Sequence, residues 1–330
     1  MKALVSLAAV GILFHVSLLG ASGTVPGALF GILLPYLAAA VFLGGLTCRV
    51  LSWARTPVPF CISTTCGQQE SLPWIKQAKL DNPSGTLGIL GRMTLEVLFF
   101  RSLVRNTKVR LSGGGRLVYG TSLGLWLSAI AFHWSLLVIL ARHLRLFTNP
   151  VPAAVTFLAE ADGFLEVGTP AFYASSCVFL AALSYLLLRR LTSPQLRYIS
   201  LPQDYFLLFL LLGIGLSGFC LRHVAGTDIA GVKELAVGLA GFRPATPKSI
   251  GPLFFGHLFL VCVLLACIPF SKVVHLAGAL LSPTRNLAGN SRKVRHVNPW
   301  DYPVKVHTYE EYEDELRAKM KGAGIPVEKE

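Results

Sequence analysis

Residues 117–143 read LVYGTSLGLWLSAIAFHWSLLVILARH, with no acidic residue and no base other than histidine before Arg142. A hydrocarbon layer of about 30 Å needs about 20 apolar residues of helix, and this stretch supplies them. Five more stretches do the same, at about 3–21, 27–48, 171–188, 205–221 and 251–281. Backbone amides find no water inside a bilayer, so each stretch is expected to be helical. The expected fold is an all-α, polytopic transmembrane helical bundle of about six spans. Composition agrees: 14% of the 330 residues are charged, against about 25% in soluble domains. The surplus of 13 positive charges then reads as a topology signal, and nucleic acid is not an expected partner.

Lys and Arg collect in alternate segments. Residues 49–116 hold Arg49, Arg55, Lys76, Lys79, Arg92, Arg101, Arg105, Lys108, Arg110 and Arg116 against Glu70, Asp81 and Glu96. Residues 281–300 hold four bases and no acid, and the short 189–204 loop has Arg189, Arg190 and Arg197. By contrast, 144–170 sets one base, Arg145, against Glu160, Asp162 and Glu166. The positive-inside rule therefore places both termini in the cytoplasm of a bacterial or archaeal cell, in its cytoplasmic (inner) membrane. The 222–250 loop dissents, with four bases against two acids on the outer side. The chain is expected to divide into two membrane helices over 1–48, a cytoplasmic basic loop over 49–116, a four-helix membrane domain over 117–281 and a cytoplasmic tail over 282–330. Within the loop, Leu87 to Val109 reads as an interfacial helix, and within the tail Tyr309 to Lys321 as a short docking helix. The first span, followed by Ala21-Ser22-Gly23, shares features with a signal peptide; it is expected to be retained, and its cleavage would leave five spans.

Four histidines carry the functional argument, because ionisable groups inside a bilayer are costly. His133 and His143 lie on the third span, His257 and His275 on the sixth. Opposed directions of those spans put His133 with His275 in the inner half and His143 with His257 in the outer half. Two imidazole pairs at two depths are what two b-type haems require. The spacing is uneven, since ten helical residues rise about 15 Å and eighteen about 27 Å. Pro269 is expected to kink the sixth helix and shorten that rise. Gly120, Gly124 and Gly256 are expected to let a macrocycle approach a backbone. His15 and His223 read as helix-to-helix hydrogen bonds, Cys61 and Cys66 as loop thiols, and Cys262 and Cys267 as core residues. The seven cysteines form no C-x-x-C pair, which leaves covalent haem attachment, iron–sulfur clusters and zinc ribbons unsupported. The acidic trio Glu160, Asp162 and Glu166 reads as a solvated loop, of a sign suited to receiving protons from a quinol.

The spacings His133-x9-His143 and His257-x17-His275 resemble the diheme cytochrome b of the nitrate reductase gamma-subunit family. The wording Thr64-Thr65-Cys66-Gly67-Gln68-Gln69, Ser71-Leu72-Pro73-Trp74-Ile75, Ser282-Pro283-Thr284-Arg285-Asn286 and Arg295-His296-Val297-Asn298-Pro299-Trp300 is similar to its DsrM branch, the membrane cytochrome b of sulfite-reduction-associated Dsr complexes. The resemblance implies two haem b groups on the four histidines, menaquinol or menaquinone as substrate near the outer haem, and a DsrK-like cytoplasmic iron–sulfur partner related to heterodisulfide reductase. It further implies other membrane and periplasmic redox subunits. Arg142 and Arg145 are then candidates for contact with an outer haem propionate. The 144–170 loop has no lysine to match the quinol-site lysine of the nitrate reductase subunit, so the resemblance names no quinone residues. Two other classes compete: a haem-free transporter with a histidine proton relay, and a structural anchor for soluble redox subunits.

Overall fold

A computed structural model describes residues 1–21, 26–56, 67–104, 108–163, 171–282, 286–294 and 306–329. Cys61, Cys66, Glu166, His296 and the Arg295–Trp300 wording lie outside them. Its main helices are α1 (Lys2–Ala21), α2 (Leu34–Ala54), α3 (Thr86–Phe99), α4 (Leu123–His143), α5 (Ala153–Asp162), α6 (Ala174–Thr192), α7 (Pro202–His223), α8 (Ile229–Ala240), α9 (Pro252–Cys267) and α10 (Tyr309–Gly322). Six runs are long and apolar enough to cross a membrane: Lys2–Ala21, Leu29–Ala54, Leu123–Leu146, Ala174–Thr192, Pro202–His223 and Pro252–Phe270. The protein is a multi-pass membrane protein with a helical fold.

Local chemistry sets the helix boundaries. Pro202 and Pro252 open α7 and α9, where a missing N–H costs nothing. Asp204 accepts the Leu201 N–H at 3.0 Å and closes the start of α7. Before α2 the chain makes a π turn at Leu29–Leu33. The helices pack in the series α4, α6, α7, α9, α2, with α1 lying on both α7 and α9. One buried cluster joins Val10, Leu210 and Leu260 from α1, α7 and α9, and another joins Phe30, Val232, Leu235, Ile250 and Phe255.

Hydrogen bonds fix the directions. Lys2 Nζ donates to Ser200 O at 2.8 Å and Ser6 Oγ to Pro202 O at 2.7 Å, so α1 and α7 start at one face. Arg49 Nε donates to Pro269 O at 3.3 Å, which puts the ends of α2 and α9 at that same face.

Three features depart from expectation. The third span starts at Leu123 and not near 117, because Lys108–Ser112 (β1) and Arg116–Gly120 (β2) form an antiparallel hairpin with Ser112 opposite Arg116. Its turn is Gly113-Gly114-Gly115, where φ of +83° and +76° at the last two suits only glycine. The interfacial stretch is likewise divided: α3 ends at Phe100, in left-handed geometry with φ +49°. Trp126 and Trp134 of α4 donate to the terminal carbonyls of Phe99 and Leu98 at 2.8 and 3.0 Å, docking α3 on the third span. The sixth span is broken rather than kinked. After Cys267 come 3-10 turns at Ile268–Phe270 and Lys272–Val274, separated by an extended Ser271, and then a single helical turn, His275–Gly278. Pro269 is fully buried and cannot donate to the helical ladder.

The two polar segments are joined. Gln69 Nε2 donates to Ser291 Oγ at 2.7 Å, Gly289 N to Pro83 O at 2.8 Å, and Lys293 pairs with Glu70 at 2.8 Å. Helix α10 begins with a capping box between Thr308 and Glu311.

Candidate functional site

His133 and His143 sit on α4, the least covered of the six spans. His257 sits on α9, and His275 opens the helical turn beyond the break. His133 and His275 come together with ring centroids 6.1 Å apart and planes at 76°. His257 lies within electrostatic range of His143. The structure thus brings His133 and His275 together, while for His143 and His257 it shows electrostatic proximity alone. The rings of Phe100 and Phe132 flank His133 at 4.8 and 4.7 Å.

Each imidazole has one nitrogen engaged. Nδ1 of His133 lies 2.7 Å from Ala129 O, that of His143 2.7 Å from Ile139 O, and that of His275 2.8 Å from Lys272 O. A carbonyl only accepts, so each Nδ1 carries the proton and each Nε2 keeps a free lone pair. His257 reaches the same state differently. Ser217 Oγ donates its proton to Ile214 O at 3.1 Å and accepts from His257 Nδ1 at 2.9 Å. Gly218 makes room for that ring: a Cβ there would stand 3.2 Å from His257 Cε1.

These donors fit haem. Two metal–nitrogen bonds of about 2 Å, plus about 1 Å from each nitrogen to its ring centre, set imidazole centres about 6 Å apart across one metal ion. Among the described residues no group of three or more His, Cys, Asp or Glu gathers as a metal centre. Imidazoles in twos suit a ligand that brings its own four equatorial nitrogens.

Other expectations change. Arg142, a candidate for a propionate, is committed to protein groups. Its Nε lies 2.8 Å from Asp162 Oδ2, as an ion pair without an aligned hydrogen bond, and its Nη2 donates to Ser175 Oγ at 3.0 Å. Arg142 and Arg222 both stand over the Tyr173 ring, 3.6 and 4.1 Å from its centroid, which leaves one face for each. Arg145 donates to Tyr173 Oη at 3.4 Å. Asp162, read as part of a solvated loop, has a side chain only 8% exposed and accepts from both Ser175 N and Ser175 Oγ, at 2.8 and 2.7 Å. Glu160 is exposed and, with Thr156, Tyr173 and Arg222, lines a cavity of about 400 Å³ at this end.

The three glycines do not face the histidines. Gly120 is in β2, the Gly124 Cβ position is taken by the Tyr185 hydroxyl, and a Cβ on Gly256 would stand 3.0 and 3.2 Å from Phe14 and Leu18 of α1. His15 bonds within its own helix, to Gly11 O at 2.9 Å, rather than across to another. Among the described residues His223 makes no helix-to-helix bond of the expected kind; it stacks on Phe172 with centroids 4.2 Å apart. Cys262 is buried and Cys267 half-buried, both as free thiols. Sequence reasoning missed Ser217 and Gly218, which stand 40 and 39 positions from His257 on another helix. The only signal was their place on a span.

Comparison with known proteins agrees with this architecture. The nitrate reductase gamma subunit family matches residues 117–290, which include all four histidines. A Hdr-like menaquinol oxidoreductase cytochrome b-like subunit of Archaeoglobus fulgidus is 43% identical over 282 residues, covering 83% of this chain and 84% of the relative. One of the same description from Archaeoglobus profundus is 42% identical over 275 residues, covering 81% of each. With more than half its length in the family match and two relatives aligned over most of theirs, the chain belongs to the nitrate reductase gamma subunit family.

Proposed function

We propose that this chain is a two-haem b-type cytochrome that passes electrons between menaquinol or menaquinone and a cytoplasmic iron–sulfur subunit. The observation that carries the reading is the set of four imidazoles, each with Nδ1 engaged by a hydrogen bond, together with the 6.1 Å approach of His133 to His275. The relatives' description as menaquinol oxidoreductase cytochrome b-like subunits supports it. His133 and His275 would hold the inner haem, His143 and His257 the outer one. Haem bound there supplies one-electron carriage across the apolar layer.

The chain's own groups prepare both ends. At the outer end Tyr173 and Arg222 form a polar wall to the cavity, and the exposed Glu160 carboxylate stands ready to accept a proton from a quinol headgroup. Arg145 remains the cation for an outer propionate, since Arg142 is spent on Asp162. At the inner end the joined 67–104 and 286–294 segments offer the seat for the partner. In our reading that partner is DsrK-like, further membrane and periplasmic subunits complete the complex, and the setting is dissimilatory sulfur metabolism. The domain plan, with a four-helix haem domain over 117–281, an inner-membrane location and a cytoplasmic C-terminus belong to the same proposal.

The test is a reduced-minus-oxidised optical spectrum of the purified protein with haem-to-protein stoichiometry. Two low-spin b haems are expected, and His143→Ala should remove one. A correctly assembled, colourless protein would refute the reading and favour a proton relay, while two unchanged haems in His143→Ala would refute the pairing.

A further inference from the structure

His275 differs from the other three histidines in what holds it. They sit on long helices whose ladders fix their height and bearing. It opens a four-residue helix after two 3-10 turns and an extended Ser271, so no continuous ladder sets its position. The segment is held from outside instead. On one side Arg49 donates to Pro269 O at 3.3 Å, a Cβ on Gly45 would press on Pro269 at 2.8 Å, and a Cβ on Gly278 would stand 3.5 Å from the Trp53 ring. On the other side Lys272 Nζ reaches Asp204 Oδ1 at 2.7 Å.

Asp204 is buried, and its anchor is firm. Its other oxygen accepts the Leu201 N–H at 3.0 Å and lies 3.7 Å from Arg190, which in turn donates to Ser200 Oγ at 2.7 Å. Lys2 of α1 closes the network on Ser200 O at 2.8 Å. Lys272 is therefore bound at both ends of its residue: its ammonium is fixed to α7, and its carbonyl accepts the Nδ1–H of His275 at 2.8 Å. Ion pair, carbonyl and imidazole form one chain from the fifth span to the inner histidine pair.

We propose that the Asp204–Lys272 pair is the positioning device for His275, holding it at the 6.1 Å spacing from His133 that one shared metal atom requires. Asp204 and Lys272 touch no reacting atom and act through the backbone of residue 272. This inference rests on the two-haem reading above. Partners of a metal-ligating histidine typically alter metal affinity 10–100-fold when removed, which sets the size of the expected effect.

The experiment uses the full-length protein in detergent and three single variants. Asp204→Asn keeps an oxygen for the Leu201 N–H but loses the charge, Lys272→Met loses the cation, and Lys272→Arg keeps it. Haem stoichiometry, the low-spin electron paramagnetic resonance signals and the two midpoint potentials are measured on each. If the pair positions His275, Asp204→Asn and Lys272→Met both weaken retention of the inner haem about 10-fold or more and broaden the same signal, the outer signal is untouched, and Lys272→Arg restores the wild type. If the pair is only a local charge, haem content stays at two and the inner potential moves in opposite directions in the two variants, which overturns the proposal. Absence of haem from the wild type would instead remove the two-haem reading, and loss of one haem in His275→Ala with no effect of Lys272→Met would remove this inference alone.

Discussion

At the scale of single residues the four histidines are alike in type but not in support. Three donate Nδ1–H to a carbonyl of their own segment, and His257 alone donates to a side chain, Ser217. Such a bond raises the basicity of the free nitrogen. Ser217→Ala should lower that basicity and raise the midpoint potential of the outer haem while leaving the inner one unchanged, read by redox titration of the two bands. Arg142 gives a second expectation. Its guanidinium and the Asp162 carboxylate are both under a tenth exposed, and a buried pair broken by loss of one partner costs about 3–5 kcal/mol. Asp162→Asn should show a loss of that order in denaturant unfolding in micelles, and a change below about 1 kcal/mol would mean that water reaches the pair. The histidines were legible in the sequence because charge-bearing residues on apolar runs stand out. Ser217, Gly218 and Asp162 were not, since a serine, a glycine or a loop acid becomes special only through what lies against it.

At the scale of elements the clearest revision concerns the sixth span. A straight helix would carry His275 about 27 Å beyond His257, against about 15 Å between the paired residues on α4. The 3-10 turns and the extended Ser271 end the straight helix at Cys267, so the straight-helix rise does not set the height of His275. Pro269 announced a disturbance in the sequence, but its outcome was set by Gly45, Arg49 and Lys272 on neighbouring elements. The C-terminal helix shows the same division. The pattern from Tyr309 to Lys321 matches α10, yet the chain beyond it folds back so that Glu313 accepts the N–H groups of Glu328 and Lys329 at 2.6 and 3.0 Å. The Glu328 N–H first, then that of Lys329 and Arg317, hold the Glu313 carboxyl below its ordinary value of 4.5. A depressed acid stabilises fully above its unfolded value, so the hook should be intact at neutral pH and at pH 5 and open as pH falls below 4.5 through the lowered value. Hydrogen exchange at the Glu328 and Lys329 amides measures this, and protection that persists in strong acid would contradict it.

At the scale of the whole molecule, Lys2, Arg49, Arg190 and Lys272 all meet at one face of the bundle. By the positive-inside rule that face is expected to be the cytoplasmic one, although the basic 222–250 loop lies at the other end. Membrane-impermeant thiol labelling tests it with two exposed positions, after replacement of the exposed Cys48 and Cys177 and of Cys61 and Cys66 in the 49–116 loop. Tyr198→Cys should react only from the cytoplasmic side and Val224→Cys only from outside, and the reverse pattern would invert the topology. The number of spans and their alternating directions were determined by the sequence alone. Hydrophobic length, charge bias and residue identity are properties of local stretches and need no partner to be read. The tertiary structure alone decided where the sixth helix breaks, which side chain engages His257, which arginine is already neutralised and which glycines serve helix packing. Those outcomes depend on contacts between residues tens to hundreds of positions apart, whose energies exist only once the helices have packed.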